Sequence, residues 1–373
     1  MAGYPKSFDG YVVDDVKKWS DFKKRCFEPK TFTERDIDVL IECCGVCGSD
    51  VHMITGGWSG GELPSKDPGL CVGHEVIGKA IKVGSKVSSV KVGDRVGVGA
   101  QIWSCGKCPQ CKSDNENYCP SSVDTYGAPY PKEEGGQLSQ GGYASHIRAN
   151  EYFVFPVPHN ISSINAASMM CAGLTVYSPL VRAGTGPGKK VAIVGIGGLG
   201  HYALLWANAL GAEVYAISHT PSKKEDALKL GAHHFIDSNT KDWVKDHALT
   251  FDFILNCSDM TNKMDVAGML STLKVNCVFN NVGLPDAPLP ELKAQAFASN
   301  GSRIGTSHIG CRTEALAMLK LASEKNIQPY IETIDISEAG CKEAVEKVKT
   351  NDVRYRLTLT GFDKAFKDRK TSA

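Results

Sequence analysis

The stretch Val191-Ala-Ile-Val-Gly195-Ile-Gly197-Gly198-Leu199-Gly200 constrains the fold of this chain more than any other. An apolar strand runs straight into G-x-G-x-x-G, a helical pattern follows over 199–210, and a second apolar strand comes at 213–217. A βαβ unit uses all three parts. Gly195 permits the tight turn, Gly197 lets a pyrophosphate approach the backbone, and Gly200 allows the helix to pack closely on the strand. Gly198 and Leu199 complete a loop that opens the helix, so phosphates meet its positive end. The alternation continues: apolar runs at 191–194, 213–217, 253–256 and 275–280 are interleaved with helical patterns at 199–210, 223–230 and 263–273. This texture predicts an α/β domain over residues 162–307, a doubly wound parallel sheet with helices on both faces.

The end of the second strand selects the dinucleotide. A site for NAD carries an acid there to bind the ribose hydroxyls. Here it reads Ser218-His219-Thr220-Pro221-Ser222-Lys223-Lys224, and the first acids, Glu225 and Asp226, already belong to the next helix. A carboxylate would repel a 2′-phosphate of about −1.5 to −2 charges, whereas Ser218, His219 and Lys223 attract it. Lysine in the first turn of a helix also opposes the macrodipole, and a bound anion would offset that. NADP(H) is the expected cofactor.

The flanking segments have a different texture. Residues 1–161 carry short β-rich runs at 37–42, 76–83 and 95–98, separated by turns such as Val92-Gly93-Asp94, and predict an irregular, mostly β domain. Residues 308–373 hold helical patterns at 314–325 and 337–350 and a strand at 355–360. The 373 residues, 42 % hydrophobic and 22 % charged, suffice for two domains with real cores and exclude disorder as the main state. A net charge of +1 leaves no electrostatic footprint for nucleic acid or a membrane surface. With no signal-type segment and no apolar run of about 20 residues, a cytoplasmic chain with reduced thiols is expected. The 14 cysteines then read as metal ligands, reactive thiols or small buried hydrophobes rather than disulfides.

Cys105, Cys108, Cys111 and Cys119 form C-x2-C-x2-C-x7-C in a lobe over residues 102–122. Gaps of this size let one ion sit over a tight turn, and Gly106, Pro109 and Asn115 predict loop rather than helix. An iron–sulfur cluster would need a shorter final gap and a second such run. A structural zinc closed by four thiolates is expected. Two further polar insertions, Cys47-Gly-Ser49-Asp50-Val-His52 and Gly73-His74-Glu75, lie among apolar strands. A Cys, a His and a second Cys with one open position is the ligand set of a catalytic zinc, but by spacing alone His74 reads first as a structural histidine.

These residues resemble those of the zinc-containing medium-chain dehydrogenase/reductase family. Residues 45–52 resemble its first zinc-ligand segment, Gly73-His74-Glu75 its zinc-histidine motif, and Met169-Met-Cys171-Ala-Gly-Leu-Thr175-Val-Tyr177 the segment bringing the third ligand. The four-cysteine lobe is in the family's place. The match runs over nearly the whole chain. It is closest to the cinnamyl alcohol dehydrogenase type and to yeast NADP-dependent alcohol dehydrogenases, which share Gly186-Pro-Gly-Lys-Lys190 and Asp352-Val-Arg354-Tyr-Arg356.

The resemblance implies a GroES-like, mostly β catalytic domain over 1–161, completed by 308–373, around a Rossmann domain. It implies that Cys47, His74 and Cys171 hold a catalytic zinc, with Glu75 behind it as a transient ligand. Asp50 accepts the free N–H of His74, Ser49 contacts the substrate oxygen, and His52 passes the proton to solvent. Thr175, Val282 and Gly283 fall near the nicotinamide and Arg354 near the pyrophosphate. Trp58 and Trp103 are candidate walls of the substrate pocket. The implied enzyme is a homodimer with two zincs per chain. It interconverts aromatic (cinnamyl-type) and medium-chain primary alcohols and aldehydes by hydride transfer with a Ser49–His52 proton relay. The rivals are a polyol or threonine dehydrogenase of the same family and a zinc-ribbon nucleic-acid-binding protein. Against the latter, Lys107 and Lys112 are offset by Asp114 and Glu116.

Overall fold

The computed structural model describes residues 5–261 and 263–367. The chain forms two compact units, Met1–Cys171 with Cys311–Ala373, and Ala172–Gly310.

The first unit is organised around the strand Asp36–Val46, along which Ile37, Val39 and Ile41 alternate into the core. It pairs antiparallel with Glu75–Val83, His146–Asn150 and Arg356–Thr360. The sheet path runs Ile331–Asp335, Arg356–Thr360, Asp36–Val46, Glu75–Val83, Arg95–Val98, Val154–Pro156. The C-terminal segment thus supplies strands to the N-terminal sheet. Leu357 and Leu359, both fully buried, weld it in at about 1.5–3 kcal/mol each.

This unit extends past residue 161 to Cys171. Helix Ser163–Ala167 and the turn Ser168–Met170 pack on Asp36–Val46 and Glu75–Val83 through buried Ala166, Ala167, Met169 and Met170. The proline-rich stretch after Phe155 looks like a boundary, but the apolar run behind it belongs to the same unit.

The second unit is a six-stranded parallel sheet in the order His234–Asp237, Glu213–Ser218, Lys190–Val194, Phe251–Asn256, Leu273–Asn281, Arg303–Thr306. The order reverses between Lys190–Val194 and Phe251–Asn256, the place where open α/β sheets bind ligands. Helix Gly200–Ala209 follows the glycine loop and buries Tyr202, Leu204 and Trp206. Among the described residues no single helix is long and apolar enough to cross a membrane.

Sealed ion pairs lock the start of the central strand. Lys30 Nζ lies 2.6 Å from Asp36 and 2.7 Å from Glu134, and Arg148 forks onto Asp38 at 2.7 and 2.9 Å. Burial pushes the Asp36 carboxyl upward, against the pull of Lys30. Lys30→Met strands that carboxylate and is expected to cost about 3–5 kcal/mol, whereas Lys30→Met with Asp36→Leu recovers most of it. Urea unfolding of the full chain measures both, and a single variant as stable as wild type would refute the pairing argument.

Candidate catalytic metal site

Cys47 leaves the central strand in extended conformation (φ −115°, ψ 154°) and starts helix Gly48–Ile54. Asp50, in the first turn, folds its carboxylate back to accept the Cys47 N–H at 2.9 Å. The other Asp50 oxygen accepts the Gly73 N–H at 3.1 Å and lies 3.1 Å from His74 Nδ1. Gly73 has φ +99°, and a Cβ there would fall 2.5 Å from the Tyr143 ring, so only glycine makes this turn. Tyr126 Oη also lies 3.1 Å from His74 Nδ1, and Tyr143 Oη donates to Asp50 at 3.4 Å.

With Nδ1 held by Asp50, His74 Nε2 is buried and has no hydrogen-bond partner among the described residues. One donor atom each from Cys47, His74, Glu75 and Cys171 lies within 4.8 Å of the others, and all four residues are buried. The hydrogen bond between the two thiols draws Cys47 well below the usual thiol value and pushes Cys171 up. Burial opposes charge on His74, but Asp50 outweighs it and raises the ring. Burial raises Glu75 to about 7 against the pull of Arg356. Two sulfurs and an orphaned imidazole nitrogen form a borderline-soft donor set that fits zinc.

The four-cysteine lobe fits zinc by distance as well. Its Sγ–Sγ separations are 3.5 Å (Cys108–Cys111), 3.6 Å (Cys119–Cys105), 3.8 Å (Cys108–Cys119) and 3.9 Å (Cys105–Cys111). A tetrahedron with sulfur 2.3 Å from its centre has edges of about 3.8 Å. The backbone N–H of Lys107 helps draw the Cys105 thiol down to about 6. The expected loop contains one helical turn, Pro109–Lys112, because Pro109 sits at its first position and Cys108 Sγ accepts the Cys111 N–H at 3.5 Å.

In the other unit the glycine loop has a dinucleotide-ready shape. Gly195 sits at φ +83°, a Cβ at Gly200 would fall 1.9 Å from the Gly195 carbonyl, and one at Gly197 would meet nothing within 4 Å. Only the last position leaves room for a ligand against the backbone. Ser218 ends the second strand, with its Oγ accepting the Thr220 N–H at 3.1 Å. Half-buried Lys223 reaches back to the Ile196 carbonyl at 2.6 Å. One acid does approach: Asp237 pairs with Ser218 across the sheet, but its Oδ1 accepts both the backbone and side-chain N–H groups of Asn239.

Residues 33–159 match the alcohol dehydrogenase GroES-like domain, and residues 198–324 match the zinc-binding dehydrogenase domain. NADP-dependent alcohol dehydrogenase 6 of Saccharomyces cerevisiae is 45 % identical over 367 residues, 98 % of this chain and 99 % of the relative. The chain belongs to the zinc-containing medium-chain dehydrogenase/reductase family. It is an alcohol dehydrogenase by fold and family, an oxidoreductase. Cinnamyl alcohol dehydrogenase 8 of Arabidopsis thaliana is 36 % identical over 328 residues, 87 % of this chain and 88 % of that one. A solved cinnamyl alcohol dehydrogenase of Sorghum bicolor superposes with a TM-score of 0.87 at 33 % identity, covering 95 % of this chain and 98 % of that one. The Helicobacter pylori structure complexed with NADP(H) gives 0.84 at 30 %, with the same coverage of 95 % and 98 %.

In this dehydrogenase Ser49 Oγ lies 3.6 Å from Cys47 Sγ, and His52 follows one turn along the same helix. Trp58, 41 % exposed, lies flat on His52 with ring centroids 4.7 Å apart and planes within 2°. Trp103 sits in the hydrophobic core of the first unit instead. Thr175 is half-buried on helix Ala172–Arg182, and Val282 and Gly283 follow the strand ending at Asn281. The Arg354 guanidinium stacks 4.9 Å from the Tyr330 ring, and the Arg354 backbone N–H donates to Glu332 Oε1 at 2.8 Å.

The sequence reading missed Arg356, which is 6 % exposed and donates to Glu75 Oε1. An arginine inside a strand otherwise as buried as Leu357–Leu359 was the available signal. Tyr126 was missed too, and nothing in its local sequence announces it.

Asp50→Asn removes the charge that orients His74. It is expected to weaken metal retention among Cys47, His74 and Cys171 by roughly 10- to 100-fold. Competition with a chromogenic chelator measures this, and wild-type retention would refute the role of Asp50.

Proposed function

We propose that this dehydrogenase is a cytoplasmic NADP(H)-dependent enzyme that interconverts aromatic and medium-chain primary alcohols and aldehydes. The observation that carries this reading is the buried Cys47–His74–Cys171 donor set beside a carboxylate, Glu75, that has its own counter-ion in Arg356. Zinc held there supplies Lewis-acid polarisation of the substrate oxygen, and NADP(H) supplies the hydride. A second zinc is held by Cys105, Cys108, Cys111 and Cys119 and serves the fold.

The chain's own residues do the rest. Ser49 presents a hydroxyl beside Cys47 and passes the substrate proton along the helix face. His52, half-exposed, exchanges that proton with solvent. Trp58 holds the His52 ring plane and offers an aromatic wall to a cinnamyl-type substrate. The relatives named cinnamyl alcohol dehydrogenase support that substrate class. Ser218, His219 and Lys223, with Asp237 engaged by Asn239, support a 2′-phosphate. The yeast relative named NADP-dependent and the Helicobacter pylori complex with NADP(H) support the same cofactor. Reduced compartments fit the 14 cysteines, which form no disulfide among the described residues. A homodimer fits strand Arg303–Thr306, which among the described residues pairs on one side only, and Val275, 64 % exposed on the strand beside it. A monomer by light scattering would sink that part.

Metal analysis is expected to find two zincs per chain. Cys47→Ser and His74→Ala should each lose one zinc and nearly all turnover while the fold survives. A panel of benzylic, cinnamyl and aliphatic aldehydes should show reduction with NADPH favoured over NADH. Lys223→Ala is expected to lower kcat/KM for NADPH by roughly 10- to 100-fold with little effect on NADH. A wild-type preference for NADH, or full activity in either zinc-ligand variant, would overturn the proposal.

A further inference from the structure

Among the described residues the parallel sheet buries three amides, Asn256, Asn280 and Asn281, and two of them bond to each other where apolar side chains would pack. Asn256 and Asn281 end the adjacent strands Phe251–Asn256 and Leu273–Asn281 and face each other in register. Asn256 is 0 % and Asn281 4 % exposed. Asn256 Nδ2 donates to Asn281 Oδ1 at 2.6 Å and to the Ser258 carbonyl at 2.8 Å, while its Oδ1 accepts the Ser258 hydroxyl at 2.9 Å. Asn281 Nδ2 donates to the Gly283 carbonyl at 2.6 Å. Each amide therefore ties down the turn that follows its own strand, and the two are tied together.

Ser258 is the wedge of this arrangement. A Cβ on Gly195 would fall 2.7 Å from Ser258 Cβ, and one on Gly283 would fall 2.5 Å from the Ser258 carbonyl oxygen. Ser258 thus sits directly against the first glycine of the phosphate loop on one side and against Gly283 on the other. Backbone bonds from Cys257 to Val194 at 2.8 Å and from Val282 to Asn256 at 2.9 Å run through the same place. It lies at the carboxyl ends of the strands beside the point where strand order reverses, the crevice that receives a ligand in such sheets. A leucine pair would fill this space without asking for four hydrogen bonds, so packing alone gives no reason for the amides.

We infer that Asn256 and Asn281 are positioning residues for the dinucleotide: through Ser258 they fix the turns after both strands against the glycine loop, and so set where the cofactor's reactive end lies. The inference rests on the dinucleotide-binding reading of the glycine loop. The amide hydrogen bonds run to each other, to Ser258 and to the Gly283 carbonyl, so they act through the turns.

The test uses the zinc-loaded full-length enzyme, NADPH binding followed by fluorescence, and turnover of an aldehyde the wild type reduces. Single Asn256→Leu or Asn281→Leu variants strand a buried amide and are expected to lose stability. The double variant Asn256→Leu/Asn281→Leu removes both partners and is expected to melt near wild type with its zinc intact. It should still bind NADPH roughly 10- to 100-fold more weakly, with a lower kcat at saturation and an altered isotope effect from NADPH deuterated at the transferred position. A purely structural role would move the melting temperature and leave these constants alone. Wild-type binding and turnover in the double variant would overturn the inference. Should that variant not fold, Ser258→Gly removes the Cβ that meets Gly195 and the hydroxyl held by Asn256 while keeping the amides, and wild-type constants there would overturn it equally. Failure of the wild type to bind either NADPH or NADH would instead remove the dinucleotide reading itself, and is seen before any variant is made.

Discussion

Asp50 is fully buried, and a carboxylate in that position is tolerable only if every lone pair finds a donor. It finds the N–H groups of Cys47 and Gly73, the imidazole of His74 and the hydroxyl of Tyr143. Those donors come from segments that meet only when strands Asp36–Val46 and Glu75–Val83 pair with Gly45 opposite Glu75. A slip of one residue would turn the side chains to the opposite face of the sheet. The carboxylate therefore enforces the register that brings the candidate ligands together, and the register is what makes the carboxylate affordable.

The same logic extends to the C-terminal segment. Strand Arg356–Thr360 lies on the other side of Asp36–Val46, with Leu357 opposite Val46 and Thr358 opposite Gly45. Arg356 thereby reaches Glu75 from across the central strand. Gly45 leaves the space between them, since a Cβ there would fall 2.0 Å from Glu75 Oε2. The return of the chain to its first sheet is thus more than closure of a core. It delivers the cation that neutralises the buried glutamate.

What could be read in the sequence follows from the range of the signal. The glycine loop and its alternating strands and helices announce themselves because each part lies within a few residues of the next. Strand Lys190–Val194 and helix Gly200–Ala209 fall where periodicity puts them. The four-cysteine lobe is equally local. Cys47, His74 and Cys171 carry no spacing signal, because the sheet and not the chain joins them, and resemblance to a family was needed to group them. Arg356 escaped because its partner lies far away in sequence. Asp237 escaped because parallel pairing with Ser218 is invisible along the chain. The first domain boundary fell short of Cys171 because a proline-rich stretch is a local cue, whereas the packing of Ala166–Met170 on two distant strands is not.

The two metal-binding arrangements differ in one physical respect that separates stability from chemistry. In the lobe all four donors are thiols at matched separations. Such a site saturates its ion and leaves nothing for a substrate. In the buried cluster the two thiols and the His74 ring have charged neighbours of their own, Arg356 beside the sulfurs and Asp50 on the ring. The fourth, Glu75, is already neutralised by Arg356 and has less to gain from a metal. On the proposed reading, Cys47, His74 and Cys171 would hold the ion and Glu75, engaged by Arg356, would leave the fourth position open to exchange. On that reading, Arg356 acts through Glu75: its guanidinium holds the carboxylate that would otherwise be free to turn toward an ion bound by Cys47, His74 and Cys171.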